Sequence, residues 1–275
     1  MIIDAHTHIS SYTGKGKTLP EVTKILLDEM KRYGIGYAVV IPDNIENDEK
    51  IASLDFVLDL TRQDKNFFAL GSPQIIQRGA GEIAKYKKLL ESGEIKGLKL
   101  FPGHDPYTPI DDRCQPYYKL LEDLDRPVVI HTGDVSSNPE IPNPLFYNDP
   151  KYIAEVAKKF PKLKIVIAHY YWPRIEYCYE ITKGVSNIYF DISGCADDEV
   201  LHASGGKEKM VEVLKKTVQE GPDKVIFGTD WPLCDSTKES GFQKHIDLIK
   251  SLNVGEQIEQ KVFWKNANTV YHLGL

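Results

Sequence analysis

Hydrophobic and polar positions follow a regular order along this chain, in which short apolar runs alternate with longer amphipathic stretches. The apolar runs are rich in β-branched and aromatic residues and predict eight strands, namely MIIDAH, GYAVVIP, NFFALGS, IKGLKLF, RPVVIH, LKIVIAH, NIYFDIS and DKVIFGT. The amphipathic stretches predict helices at residues 20–33, 48–64, 79–92, 115–124, 150–160, 172–183, 207–220 and 238–251, with a further helix across GEQIEQKVFWKNANTVYHL. A helix precedes each strand after the first, so we expect parallel pairing through right-handed crossovers.

The number and order of these elements predict the fold. Eight β–α units in 275 residues indicate a closed (β/α)8 TIM barrel, a single domain over residues 1–275 with an additional C-terminal helix. A doubly wound open sheet is the alternative. The longest irregular stretches, at residues 9–19, 102–114 and 132–149, all follow predicted strands. In a barrel those loops form the active-site face.

Metal-competent side chains stand where four of the predicted strands end. His6 and His8 end the first strand, His131 the fifth and His169 the sixth, and Asp230 follows the eighth. The carboxyl ends of barrel strands gather around one axis, so these side chains are expected to meet there.

Strand alternation indicates where these side chains point. Residues two apart share a face, which would aim His6 and His8 at one point. The same alternation places His169 on the face of Ile165 and Ile167, which we expect to face the barrel interior. An HxH pair taken alone fits two hydrogen-bonded core histidines equally well. The ordered set at four strand ends favours a metal site.

The residue types indicate which metal would bind. Imidazoles and one carboxylate suit a divalent ion such as Zn²⁺, Mn²⁺, Fe²⁺ or Co²⁺, whereas Ca²⁺ and Mg²⁺ prefer oxygen ligands. Zinc is the first choice. A catalytic zinc keeps a position for water, whose pKa it lowers to about 7. We expect one ion at the C-terminal ends of the strands, with a second ion as the less favoured alternative.

The order of the motifs DAHTH, VIHTGD, VIAHYYWP, YFDISG, FGTDWP and FWKNANTVYHL resembles the amidohydrolase superfamily. It is most similar to the amidohydrolase-2 branch, which holds metal-dependent hydrolases and enzymes of the aminocarboxymuconate-semialdehyde decarboxylase type. The resemblance runs from residue 2 to the C-terminus. The HxH alone is a weak signal, but the ordered set is specific.

The resemblance implies roles for individual residues. His6, His8, His131 and Asp230 would bind the metal, and Asp230 would also take a proton from the bound water. His169 would be the second catalytic residue. In mononuclear members its equivalent orients water or substrate as an acid or base, and in binuclear members it ligates a second ion.

Four further residues are candidate substrate contacts, namely Lys99, His104, Arg174 and Trp231. The alternation that sends Leu98 and Leu100 towards the helices sends Lys99 into the barrel, where a lysine needs a partner. By resemblance, a strand-4 lysine either carries a carboxylate that bridges two metals or acts as a charge partner within the barrel or for an acidic substrate. Alternative roles stay open for the other three: an exposed loop residue for His104, a surface residue for Arg174 and a packing residue for Trp231.

Charge and cysteine usage exclude other classes. With 34 basic and 40 acidic residues the net charge is −6, which gives no general attraction to nucleic acid or to a membrane surface. The four cysteines are scattered without a CxxC, so reduced thiols are expected, and Cys234 is held open because it follows Asp230. The start of the chain lacks a basic and apolar signal pattern, which predicts a cytoplasmic protein. We expect a small-molecule substrate. The sequence leaves open whether the chain forms a homodimer.

These features favour a hydrolase that uses metal-activated water to cleave an amide, ester or lactone bond of a small polar molecule. A non-oxidative decarboxylase of the same branch is the alternative, but such enzymes tend to be longer. A barrel that keeps a metal for structure or sensing is a third hypothesis. Phosphoesterases of the PHP type also begin with HxH, but they use more residues after the middle strands, where this chain offers Asp43.

Overall fold

Parallel strands and helices alternate through the residues that the computed structural model describes, which are 1–43, 48–136, 138–232 and 241–275. The strands are β1 (Ile3–Thr7), β2 (Tyr37–Val40), β3 (Phe67–Ala69), β4 (Leu98–Leu100), β5 (Val128–Ile130), β6 (Ile165–Ile167), β7 (Ile188–Asp191) and β8 (Val225–Ile226). Each overlaps one of the eight predicted runs.

The helices largely follow the amphipathic pattern. They are α1 (Leu19–Tyr33), α2 (Leu54–Gln63), α3 (Glu82–Ser92), α4 (Gln115–Asp123), α5 (Pro144–Tyr147), α6 (Pro150–Lys159), α7 (Ile175–Thr182), α8 (Asp198–Ala203), α9 (Lys207–Glu220), α10 (Gly241–Ser251), α11 (Glu256–Gln260) and α12 (Asn266–Val270). Within the described ranges, none of them is long and apolar enough to cross a membrane.

Two predicted helices differ clearly from the structure, and two short helices were not predicted. The helix predicted from residue 48 begins at Leu54, because the Ser53 side chain caps it by accepting from the Phe56 amide. The short helices α5 and α8 lie in loops that carry no long periodic pattern. The C-terminal helix is divided into α11 and α12 by a π-helical segment, Lys261–Lys265.

Backbone hydrogen bonds close the strands into a ring. Strands β1 to β3 form one parallel sheet and β4 to β8 another. At one seam the Lys99 amide donates to the Gly71 carbonyl at 2.7 Å. At the other, the Ala5 amide donates to Phe227 at 2.9 Å and the His8 amide to Trp231 at 2.7 Å. The fold is therefore the predicted (β/α)8 TIM barrel.

The core has two layers separated by the strands. Leu98 and Leu100 pack in the outer layer against the helices, as the alternation predicts, whereas Val129 packs in the interior layer. Residues of the C-terminal segment, such as Val270 and Tyr271, join the interior layer with residues of the strands. Burying each such side chain stabilises the fold by about 1.5–3 kcal/mol. The interior below the strand ends is therefore filled, and polar residues gather at the C-terminal face.

A buried histidine connects α10 to the loop before α8. His245 is fully buried, its Nδ1 donates to the Gly241 carbonyl at 2.7 Å, and its Nε2 accepts from the Ala196 amide at 3.3 Å. Burial lowers the pKa of His245 to about 4, because the charged ring would lose its hydration. Protonation would also place a second N–H against the Ala196 amide.

We predict that His245 makes stability fall with acidity. An unfolded histidine has a pKa near 6.5, so the unfolded chain gains a proton that the folded chain resists as the pH falls. Between pH 7 and pH 5 the loss should be about 2 kcal/mol. Urea unfolding should therefore show a steeper acid loss for the wild type than for His245→Gln. His202→Gln, which changes an exposed histidine of α8, is the matched control. Equal pH dependence of the wild type and His245→Gln would contradict this assignment.

Candidate metal centre and active-site cavity

A change of register in β1 lets two histidines reach the barrel mouth. The pairing of β1 with β2 shifts between Asp4 and Thr7. Ala5 packs in the interior layer, and the irregularity allows its neighbour His6 to face the same central region. His8 follows two residues later, so both imidazoles lie at the end of β1, as predicted.

Three of the predicted residues form a close group. One ligand atom each from His6, His169 and Asp230 lies within 4.8 Å of the other two. His8 lies beside this group, with its Nε2 at 3.4 Å from Asp230 Oδ1, while His6 Nε2 lies at 3.5 Å from the same oxygen. The resemblance implied that His8 and His131 bind the metal together with His6 and Asp230. In the structure the residue closest to His6 and Asp230 in this group is His169, and His8 lies beside it.

His169 reaches the group by a route that strand alternation does not predict. Ile165 and Ile167, which we expected to face inward, pack in the outer layer, and Ala168 packs in the interior. The face predicted for His169 is therefore wrong. His169 points inward because its backbone is left-handed, with φ at +61°, and Asp230 has a similar φ of +68°. Such conformations are rare for non-glycine residues and occur often at functional sites.

A buried carboxylate orients two of these imidazoles from below. Asp191 Oδ2 accepts from His6 Nδ1 at 2.8 Å, and Asp191 Oδ1 accepts from the His169 amide at 3.2 Å. Ser193 donates its hydroxyl to Asp191 and lies 2.9 Å from His169 Nδ1. With both Nδ1 atoms occupied, the Nε2 atoms of His6 and His169 keep the lone pairs that a metal ion could use.

The electrostatics of the group suit a divalent cation. Burial lowers the pKa of His6 to about 3 and lowers that of His169, so both imidazoles are neutral and keep their lone pairs. Burial alone would raise the pKa of Asp230, but the hydrogen bond with His8 and the positive charge of Lys99 hold that pKa well below its usual value. Neutral imidazoles beside an ionised carboxylate are the donors that Zn²⁺ and similar ions prefer.

Lys99 lies inside the barrel, next to the histidines. It is fully buried, and its Nζ donates to His6 Nε2 at 3.2 Å. Burial lowers the pKa of Lys99 to about 8, while Asp191 and Asp230 act in the opposite direction. The ammonium group therefore contacts the same lone pair that a metal ion would use.

His131 faces His104. Their Nε2 atoms are 3.1 Å apart, and His131 Nε2 also lies 3.3 Å from the Val135 carbonyl. Burial lowers the pKa of His104 to about 3 and lowers that of His131 well below its usual value. Two neutral rings can share one hydrogen bond, so His104 fixes the orientation of His131.

A cavity of about 660 Å³ lies at this end of the barrel, next to the histidines and Asp230. Lys99 and His104, two of the predicted substrate contacts, lie in its wall with His131 and His169. Its remaining lining includes Ser10, Tyr12, Asp43, Ile51, Phe101, Ser136, Trp172, Asp197, Glu199 and Val200. The sequence pattern did not single out Asp197 and Glu199 as cavity residues, because acidic residues at the start of a helix usually serve as caps.

Two predicted substrate contacts do not line the cavity. Trp231 is fully buried in the outer layer, where it stacks on Phe242 and donates from Nε1 to Glu29 at 3.0 Å. Arg174 is exposed at the start of α7. Trp231 therefore has the packing role that the sequence left open, and Arg174 has the surface role. Cys234 lies outside the described residues.

The sequence and the fold both match known proteins. The chain matches the amidohydrolase-2 family, described as Amidohydrolase, over residues 3–273. No curated protein matches it. Similar solved structures include 4-oxalomesaconate hydratase from Rhodopseudomonas palustris, with 18% identity, a TM-score of 0.71 and coverage of 99% of this chain and 96% of that chain.

Two further structures share the fold. 2,6-Dihydroxybenzoate decarboxylase from Rhizobium is 14% identical, with a TM-score of 0.67 over 100% of this chain and 99% of that chain. A probable 2-pyrone-4,6-dicarboxylic acid hydrolase from Acinetobacter baumannii is also 14% identical, with a TM-score of 0.67 over 98% of this chain and 99% of that chain. At these identities the likeness shows the fold.

We predict that Asp191→Asn weakens zinc binding about 10-fold to 100-fold, because an amide nitrogen would face the N–H of His6 and misorient the ring. Competition against a chromophoric chelator measures the affinity. Asp55→Asn, at an exposed position of α2, is the matched control and should bind as the wild type does. Unchanged affinity in a folded Asp191→Asn protein would show that Asp191 does not orient a metal ligand.

Proposed function

We propose that this chain, which belongs to the amidohydrolase-2 family, is a metal-dependent hydrolase that cleaves an amide, ester or lactone bond of a small polar molecule. The observation that carries this proposal is the group of His6, His169 and Asp230, whose ligand atoms lie within 4.8 Å of one another beside the cavity. The cavity volume of about 660 Å³ suits a small-molecule substrate.

We propose that the site takes one divalent ion, with zinc as the first choice and Mn²⁺, Fe²⁺ or Co²⁺ as alternatives. His6, His8 and Asp230 would hold it, and His131 remains a further candidate ligand on the resemblance. When bound, such an ion supplies a Lewis acid that polarises a carbonyl and lowers the pKa of a water.

The chain's own residues would then move the protons. Asp230 is ionised and contacts both His6 and His8, so it can accept a proton from the attacking water and pass it to the leaving group. His169 lies against the same carboxylate, with its Nδ1 held by Ser193, so its Nε2 can orient the water or the substrate. Lys99 adds a fixed positive charge at the cavity wall.

Non-oxidative decarboxylation is the alternative reaction. The Lys99 ammonium, which lines the cavity, is the feature that favours it, because it could pair with a substrate carboxylate. Among the described lining residues, however, Lys99 is accompanied by four carboxylates. Three of these carboxylates, Asp43, Asp197 and Glu199, are not proposed ligands of the ion, and their charge disfavours a substrate carboxylate in that part of the cavity. This balance favours hydrolysis.

The test is a substrate panel with zinc-loaded protein. Small lactones and esters are followed by acid release in a pH-stat, and small amides by assay of the released amine. Aryl carboxylates are followed by carbon dioxide release. We expect turnover in the first set. Carbon dioxide release without hydrolysis would overturn the proposal in favour of the decarboxylase, and no turnover in either set would favour a structural or sensing metal.

We predict that His169→Asn lowers kcat at least 100-fold, since a positioned acid or base contributes about 10²–10⁴-fold. Metal content is measured on the same preparations, and retained metal would assign His169 to the acid–base step. His202→Asn, at an exposed position, is the matched control and should leave kcat unchanged. An unchanged kcat in His169→Asn would remove His169 from the mechanism.

A further inference from the structure

The charged groups of the cavity wall are predominantly acidic. Among the described lining residues, four are carboxylates and one is an ammonium group, namely Asp43, Asp197, Glu199, Asp230 and Lys99. Asp230 and Lys99 belong to the group that contacts His6. The other three carboxylates lie elsewhere in the wall and act on the charge of the rest of a substrate.

The chain provides no arginine for an anionic substrate at this site. Arginine is the residue best suited to hold a carboxylate or phosphate, through two parallel hydrogen bonds. All six arginines lie in the described ranges, and none lines the cavity: Arg32, Arg62, Arg78, Arg113, Arg126 and Arg174. The sequence of residues 44–47, 137 and 233–240 contains no arginine.

One described lysine lines the cavity, and two others lie near it with partners of their own. Lys99 Nζ donates to His6, and Lys244 pairs at 2.8 Å with Asp198, which does not line the cavity. Lys50 lies with its Nζ 5.2 Å from the ring centroid of Tyr12, outside the cavity lining. Lys99 is therefore the one described lysine in the lining, where it faces four carboxylates.

The acidic side chains lie on one arc of the barrel mouth. Asp197 and Glu199 follow β7, and Asp43 follows β2, so they flank the seam between β8 and β1 where the histidine pair stands. Trp172 follows β6 and lines the same cavity, next to the arc. Carboxylates beside an aromatic ring are the groups that bind an ammonium or guanidinium ion.

We propose that the substrate of this site carries a cationic group, an ammonium or a guanidinium, which binds at the mouth between Glu199, Asp197 and Trp172. The bond to be cleaved would lie at the group of His6, His169 and Asp230. This inference rests on the proposed function and adds the substrate class to it. The cavity would discriminate against substrates that carry a carboxylate at the same distance from the reacting carbonyl.

Three hydroxamic acids of similar length test the proposal, because a hydroxamate binds zinc and leaves its other end in the cavity. The probes are 4-aminobutanohydroxamic acid, pentanohydroxamic acid and succinic monohydroxamic acid, which end in a cation, a methyl group and an anion. Calorimetric titration of zinc-loaded protein should give the tightest binding for the amine. A preference of about fivefold over the methyl compound is expected, since partly exposed pairs are worth up to about 1 kcal/mol each.

The double variant Asp197→Asn/Glu199→Gln should abolish the preference for the amine and leave the affinity of the methyl compound unchanged. Asparagine can still cap α8, so the fold should be kept. Glu155→Gln removes an exposed carboxylate of α6 outside the cavity and is the control that should keep the preference.

The outcomes separate this inference from the proposed function. If the methyl compound binds but the amine gains nothing, or the succinic compound binds most tightly, the cationic substrate class is wrong and the metal centre stands. A preference that survives in the double variant would equally contradict the assignment to Asp197 and Glu199. If none of the three probes binds the zinc-loaded protein, the metal-centred function fails and this inference fails with it.

Discussion

The site depends on one buried ion, the carboxylate of Asp191. Burial would raise the pKa of this group, but His6, His169 and Lys99 around it hold the pKa below its usual value. Its two oxygens accept from the ring of His6 and from the backbone of His169, which come from opposite parts of the sequence. Both imidazoles therefore present a lone pair to the same space. An unpaired buried carboxylate would be costly, so this contact also constrains how the barrel closes.

Irregular backbone at the strand ends converts a regular barrel into a site. The shift in β1 turns His6 towards the centre, and the left-handed residues His169 and Asp230 turn two more donors to the same place. Each left-handed non-glycine residue costs about 1–3 kcal/mol. Hydrogen bonds between β1 and the segment that follows β8 stabilise the strained backbone. Asp4, for example, accepts from the Thr229 amide at 2.9 Å and from its hydroxyl at 2.6 Å.

Sequence patterns predicted most of this arrangement, because alternation and strand endings are local properties. They correctly predicted the eight strands and the inward direction of Lys99. They failed at His169, where a backbone conformation overrides the alternation. They also failed at Trp231, whose position next to Asp230 does not show that its ring packs on Phe242. The acidic wall at Glu199 depends on which loops meet at the mouth, and a single sequence does not show such contacts.

The central claim is that these strand ends bind one catalytic divalent ion. Its most direct test is the metal content per chain, measured by elemental mass spectrometry on protein purified without chelator. The wild type and Lys99→Ala are compared side by side. About one zinc-like ion in both is predicted, since Lys99 is a charge partner in this account. Two ions that fall to one without Lys99, or no ion even after reconstitution, would contradict it.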